Sequence, residues 1–262
     1  MSSAVAIGGL IAGLTSGPIV DRWGFTTLFN LIAMLALLIP LIGGFIEDYD
    51  VIQPKTKRDE AASRSFTFTS GFLLLFTASV LAFIVNSTGA LARPLIMTEL
   101  QFDATAISSA VAVGGLIGLP LPFLVGWLSD RIGRKPLLIL CYLANALGLL
   151  VLVVAFAPCH FWASAALQLS MAASMAVGSA LITDLVPHES LGVSLSLFTS
   201  SNSMGFVIGF AGTGIAMQQF GSPATLLLGV FLSLISAAIL IFIRAGARKP
   251  PFKQVVAATP AA

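Results

Sequence analysis

The stretch Gly126-Trp127-Leu128-Ser129-Asp130-Arg131-Ile132-Gly133-Arg134-Lys135 decides how this chain is read. It carries one acid, three bases and two glycines, and it joins two long apolar segments. A loop that merely retains positive charge between membrane helices requires the bases alone, not the acid or the glycines. Around it, 57% of the 262 residues are hydrophobic and 9% are charged, and the mean hydropathy is +1.00. A soluble domain carries about 25% charged residues. A bilayer-spanning helix needs roughly 20 apolar residues, and eight runs approach or exceed that length, at 2–20, 25–46, 66–91, 104–128, 136–156, 161–183, 192–217 and 223–243. Inside lipid each run must satisfy its own backbone, so the runs are helices, and the alternation of a membrane barrel is absent. The expected fold class is an all-α integral membrane protein of eight transmembrane helices, with the lipid bilayer as its first partner.

The positions Gly126, Leu128, Ser129, Asp130, Arg131, Gly133, Arg134 and Lys135 resemble the G-x-L-[SA]-D-R-x-G-R-[KR] loop of the major facilitator superfamily of secondary transporters. The resemblance implies a helical bundle of two six-helix halves that rock around a central cavity. It also implies that Gly126, Asp130, Arg131, Gly133, Arg134 and Lys135 form a conformational gate at the cytoplasmic face. In the family the acid meets the amino end of helix eleven, here the segment around Gly192, and an acid at a helix start gains roughly 0.3–1 kcal/mol. Arg131 and Arg134 are expected to pair with Asp184 or Glu189.

The bases set an orientation. With the Arg131 loop inside and the chain alternating, Lys55, Lys57, Arg58, Arg64, Arg131, Arg134, Lys135, Arg244, Arg248, Lys249 and Lys253 lie inside. Arg22 and Arg93 alone lie outside. Lys and Arg are retained on the cytoplasmic side, so both termini are expected to be cytoplasmic, in a plasma (inner) membrane.

A shift of 197 residues lays Gly8 on Gly205, Gly17 on Gly214, Gly24 on Gly221 and Trp23 on Phe220. Repeated halves are common in secondary transporters. The first span then corresponds to helix five of the twelve-helix plan, the second to helix six, and the last six to helices seven to twelve. The expected domains are 1–46, the last two helices of the N-terminal half; 47–65, a solvated cytoplasmic linker; 66–245, the C-terminal half; and 246–262, a cytoplasmic tail. On this count the first four helices of the plan are absent, and the chain reads as truncated at its N-terminus. A rival assignment makes the first span helix two, because Gly17-Pro18-Ile19-Val20-Asp21-Arg22-Trp23-Gly24 shares G-x-x-x-D-R-x-G with the Gly126 loop. It lacks the following bases, however, and lies an odd number of spans away, on the opposite membrane face.

Gly13-Leu14-Thr15-Ser16-Gly17-Pro18 resembles part of the helix-five signature of exporters, and Gly17-Pro18 is expected to bend its helix. Asp21 and Arg22 stand where that signature has its last two glycines. Glycines at steps of four (Gly9, Gly13 and Gly17; Gly114, Gly118 and Gly126; Gly205 and Gly209) mark expected close approaches of helices.

Charged groups at mid-membrane mark functional sites, and the spans hold almost none. Asn86, Arg93, Gln168 and Asn202 are the candidate cavity-lining residues. Arg93, beside Pro94, either attracts an anionic group or snorkels to the outer surface, and snorkelling is the preferred reading. His160 is expected alone in a short turn, His188 in a loop, and Ser190 as a helix cap. The cysteines, Cys141 and Cys159, lie too far apart along a helix for a disulfide. The residues offer no nucleotide-binding loop, no nucleophile with a base and no metal cluster. An enzyme, a cofactor and a nucleic-acid partner are therefore not expected. The function expected is secondary transport of a small-molecule substrate by alternating access, as a proton-coupled exporter of hydrophobic or amphipathic compounds. The alternatives are a non-transporting remnant or membrane interaction protein, and an uptake permease of the same superfamily.

Overall fold

The computed structural model describes residues 2–43, 69–187 and 190–243. The linker 47–65, the tail 246–262, His188, Glu189 and eight of the eleven inward bases fall outside the described residues. What is described is helical, with no strand. The elements are α1 (Ser2–Gly43), α2 (Ser70–Glu99), α3 (Ala104–Gly118), α4 (Leu121–Ile132), α5 (Arg134–Val153), α6 (Pro158–Gln168), α7 (Ser170–Leu185) and α8 (Leu191–Ile241). Among the described residues five helices are long and apolar enough to cross a membrane, or six when α3 and α4 count as one bent span.

Two of these helices are longer than any bilayer requires. A 51-residue helix such as α8 would run about 75 Å at 1.5 Å per residue, against a hydrocarbon core of about 30 Å. Each long helix contains one non-helical residue: Gly24 in α1 (φ 79°, ψ 169°) and Gly221 in α8 (φ 78°, ψ 168°). That region of backbone space is open to glycine essentially alone. The repeat at 197 residues laid these two glycines on each other, and they turn the chain with the same dihedrals. Pro18 stays inside α1 with helical dihedrals, and the backbone leaves the helical region at Gly24.

One expected span is broken. Run 104–128 divides into α3 and α4, which meet at 56°. Pro120 and Pro122 lack the amide hydrogens that would bond to Leu116 and Gly118, so the ladder loses two rungs within one turn. Run 161–183 holds α6 and α7, which Leu169 joins with helical dihedrals, so that Pro158–Leu185 counts as one span among the five.

The core lies between α2, α5, α7 and both ends of α8, with Phe72, Leu75, Tyr142, Met171, Leu181 and Phe198 fully buried. A second apolar cluster, including Val85, Met97, Leu149, Phe161 and Leu226, closes the other end. Association in lipid depends on close packing and interhelical hydrogen bonds, and both occur here. Gly205 presses on Val80 and Gly209 on Ile84, so α8 lies against the backbone of α2. The Ser79 and Tyr142 hydroxyls share a bond of 3.0 Å, and those of Thr88 and Thr213 one of 2.8 Å. Ser233 donates to Tyr142 O and Ser236 to Ala78 O. The outward faces carry large exposed apolar side chains such as Phe123, Phe231 and Phe242, as a lipid-facing surface requires.

Candidate functional site

The Gly126–Lys135 stretch forms the end of α4 and the start of α5, divided by Gly133 at φ 97° and ψ 158°. The two bases after that glycine bind the ends of other helices. Arg134 forms an ion pair of 2.8 Å with Asp184. Its Nη1 also donates to Thr183 Oγ1 at 3.1 Å and to the carbonyl of Ala180. Ala180, Thr183 and Asp184 share one face of the last turn of α7, so Arg134 grips a helix carboxyl end, where a cation is favoured. Lys135 Nζ donates to the carbonyls of Ile241 at 2.8 Å and Ile243 at 2.7 Å. It closes the carboxyl end of α8, whose last carbonyls have no partner within the helix.

The remaining loop residues are placed differently. Among the described residues Arg131 pairs with no acid; its guanidinium lies 4.1 Å from the Trp127 ring centre, one turn back on the same helix. Asp130 is exposed, and no hydrogen bond or ion pair of it is present among the described residues, so it does not hold the start of α8 there. Gly126 is exposed, with nothing within 4 Å of where a Cβ would stand. It therefore makes no close approach. The 56° bend between α3 and α4 rotates it off the face of Gly118. Ser190 holds the capping position of α8, but its hydroxyl turns back to Pro187 O at 3.2 Å and caps nothing. His160 is not alone; it sits in the first turn of α6 and accepts from Ala157 N at 3.3 Å. Both cysteines are free, Cys141 buried and Cys159 exposed.

The opposite end of the bundle holds a second polar contact. Asp21, next to the Gly24 turn, accepts from Ala104 N at 3.1 Å, from Thr105 N at 2.9 Å and from Thr105 Oγ1 at 2.5 Å. These are the first amides of α3, which Asp103 caps from its own side by accepting from Ala106 N at 2.8 Å. A carboxylate on the amino end of a helix meets both unpaired donors and the positive end of the dipole. The bond from the Thr105 side chain, aided by the two backbone amides, holds the Asp21 carboxyl below its ordinary 3.8. A lowered carboxyl stabilises the fold above its unfolded value and loses that contribution as pH falls through the lowered one. Asp21→Asn is accordingly expected to lower the thermal midpoint at pH 7 and to lose its effect as pH falls through the lowered carboxyl value, where parent and variant converge; thermal scans across pH check this.

Between the Asp21 contact and the middle of the bundle, α1 and α3 touch backbone to backbone. A Cβ on Gly13 would stand 2.7 Å from Ala112 Cα, one on Gly17 2.6 Å from Ala104 O, and one on Gly115 2.7 Å from Leu10 Cα. Gly9 and Gly114, placed in the same stripes by their spacing, have nothing within 4 Å. The tight register on α3 thus runs through Gly115. The two copies of the repeat also press different faces: Gly17 is tight whereas its equivalent Gly214 is free, and Gly205 is tight whereas Gly8 is free.

The four polar candidates divide. Arg93 and Gln168 meet: Arg93 Nη2 donates to Gln168 Oε1 and, at 3.4 Å, to Ser164 Oγ. Arg93 does not snorkel. Helical side chains tilt toward the amino end of their helix, which for Arg93 points away from the nearer end of α2 and toward mid-span. Asn86 is half-buried two turns earlier on the same face of α2. Asn202, on α8, keeps its buried Oδ1 without a partner. The atoms Arg93 Nε, Gln168 Nε2 and Asn145 Oδ1 are likewise buried and unpaired, each at a cost of ~1–3 kcal/mol. Asn145, a fourth mid-span polar residue of the sequence beside Asn86, Gln168 and Asn202 but not a cavity candidate, donates to Ala82 O at 3.3 Å.

No curated protein matches the chain. The family model described as Major Facilitator Superfamily matches residues 74–261, most of the chain. That range includes the Arg134 and Lys135 contacts, the glycine-packed α2–α8 pair and the Arg93 cluster. An apolar helical bundle with basic residues clamping helix ends, matched over this range, is an integral multi-pass membrane protein, and the chain belongs to the major facilitator superfamily of secondary transporters.

Proposed function

We propose that the chain works as a proton-coupled exporter of hydrophobic or amphipathic small molecules, alternating access by relative movement of 1–46 and 66–245. The observation that carries this reading is the contact between those two parts: Asp21 ties α1 to the start of α3, and Gly13 and Gly17 seat α1 on the α3 backbone. Hydrogen bonds onto a helix terminus form and break without unwinding the helix. Arg134 and Lys135 tie α5 to the ends of α7 and α8 and hold 66–245 together at the opposite end. The export direction rests on Gly13, Gly17 and Pro18, whose motif seats α1 directly on α3. The apolar character of the substrate follows from the scarcity of charge along the described spans.

The proposed orientation places the Gly24 end outside and the Arg134 end, with both termini, in the cytoplasm of a cell with this protein in its plasma membrane. The test is reconstitution in vesicles with an imposed pH gradient and a panel of apolar fluorescent dyes, neutral and charged. Uphill dye movement that a protonophore abolishes is expected; movement of no dye, or movement indifferent to the gradient, would sink the proposal. In intact cells a membrane-impermeant maleimide is expected to label the exposed Cys159 and spare the buried Cys141. Labelling of Cys159 only after permeabilisation would reverse the orientation.

A further inference from the structure

We propose that Arg93, Gln168 and Ser164 form a recognition site for a single oxyanion carried on an apolar body, such as the carboxylate of an amphipathic molecule. The inference rests on the transporter reading and names the substrate group that its binding region takes.

Three observations support it. First, Arg93 is a cation inside a membrane span without an acid. The Arg134–Asp184 contact is the only ion pair among the described residues, and Arg93 bonds only to the neutral Gln168 and Ser164. A charged side chain within a span is costly and marks a pathway or a site, and a guanidinium presents a planar fork suited to a carboxylate. Six residues before the end of α2, it lies roughly 9 Å along the helix from that end, and it leans toward mid-span.

Second, donors are left over. Arg93 Nε and Gln168 Nε2 are both buried and unpaired, and Gln168 is only 6% exposed. Gln168 spends its one acceptor on Arg93, so what remains around the cation is N–H groups. Orphaned donors around an uncompensated cation call for an acceptor of negative charge.

Third, the position of Gln168 is built by the helices around it. A Cβ on Gly89 would collide with the Gln168 amide, and one on Gly148 would stand 2.9 Å from its Cγ. Two glycines on different helices, α2 and α5, thus clear the space it fills. Asn86, Gly89 and Arg93 fall at steps of three and four on one face of α2, opposite Ser164 and Gln168 at a step of four on α6.

The apolar body follows from what surrounds the polar group. Val85, Ala92, Met97, Leu149 and Phe161 form the adjoining cluster, with nothing charged in it.

The test uses the full chain in neutral phosphatidylcholine nanodiscs, with dodecanoate and dodecanol as probes in a competition against a fluorescent fatty-acid analogue. Dodecanoate is expected to bind at least tenfold more tightly than dodecanol. Arg93→Gln is expected to remove that preference while leaving dodecanol binding unchanged, and Arg93→Lys to keep part of it. Gln168→Glu places a carboxylate beside the guanidinium. It is expected to abolish the preference and raise the melting temperature in the absence of probe, a result that misfolding cannot produce. A second set of nanodiscs containing phosphatidylglycerol separates the sources. If the acidic lipid displaces dodecanoate in an Arg93-dependent way, the oxyanion is a lipid headgroup; if it does not, the oxyanion is a soluble amphipath. Equal binding of the two probes, or a preference that survives Arg93→Gln, overturns the proposal and leaves transport of apolar compounds standing. Loss of uphill movement of every dye in the vesicle assay, with Arg93-dependent binding intact, would instead overturn transport and leave the site.

Discussion

Gly17→Ala is expected to lower stability and abolish uphill transport, whereas Gly9→Ala, two turns away on the same helix, is expected to raise stability slightly. Helix propensity favours Ala over Gly by roughly 0.5–1 kcal/mol at an interior position, and on that ground alone both substitutions would stabilise. Space reverses the sign at one of them. A Cβ on Gly17 would stand 2.5 Å from Thr105 Cα and 2.6 Å from Ala104 O. Both are backbone atoms in the first turn of α3, so no rotamer change relieves them, and the helices must separate. Overpacking a fitted contact costs about 1–3 kcal/mol, which exceeds the propensity gain. Separation would also draw Asp21 away from the amides of Ala104 and Thr105, so one substitution would remove the contact and its latch together. Gly9 has nothing within 4 Å and keeps the propensity gain. Thermal unfolding in detergent and dye movement in vesicles, measured on both variants, decide it. A Gly17→Ala protein as stable as Gly9→Ala would mean that α1 and α3 do not lie at this distance.

The comparison also shows what spacing can and cannot reveal. Gly9, Gly13 and Gly17 are equivalent as a pattern, yet only the latter two touch α3. The stripe names a face, and the length of contact along it depends on where the partner helix lies. On the partner the stripe failed, because Pro120 and Pro122 bend the span and Gly126 ends on another face. Two prolines one residue apart were the available signal. The membrane class, the helices and the family were legible because apolar run length and the Asp130–Lys135 loop are local properties. Pairing of Arg134 with Asp184 was legible as one of several options, since two loops on one membrane face hold few acids. The Lys135 bonds to the end of α8 and the Asp21 bonds to the start of α3 were not legible, because their partners are backbone groups, which every residue carries. Arg93 was misjudged for a directional reason: proximity to a helix end suggests snorkelling, but the tilt of the side chain follows chain direction.

Arg134→Met is expected to destabilise the Arg134 end of the bundle and open it. The side chain holds three groups on α7 at once: the Asp184 carboxylate, the Thr183 hydroxyl and the Ala180 carbonyl. The ion pair alone is modest, because both partners are more than a third exposed and exposed pairs give about 0.2–1 kcal/mol. The bonds to the helix end add a dipole contribution of roughly 0.3–1 kcal/mol and a charge-assisted hydrogen bond of similar or greater size. Together these make a loss of about 1–3 kcal/mol, most of it from the hydrogen bonds onto the helix end rather than from the charge pair. The order of effects therefore separates the causes. Asp184→Asn removes the charge pair and is expected to cost least. Arg134→Lys keeps a cation on a shorter side chain and falls between, and Arg134→Met costs most. Opening can be read at Leu74, which lines a cavity of about 460 Å³ with Asp184 and Leu185 at this end. With both native cysteines replaced by serine, a cysteine at position 74 is expected to react with maleimide severalfold faster in Arg134→Met than in Asp184→Asn. Equal rates across the series, or an Asp184→Asn effect as large as that of Arg134→Met, would place the hold in the ion pair and not in the grip on the α7 terminus.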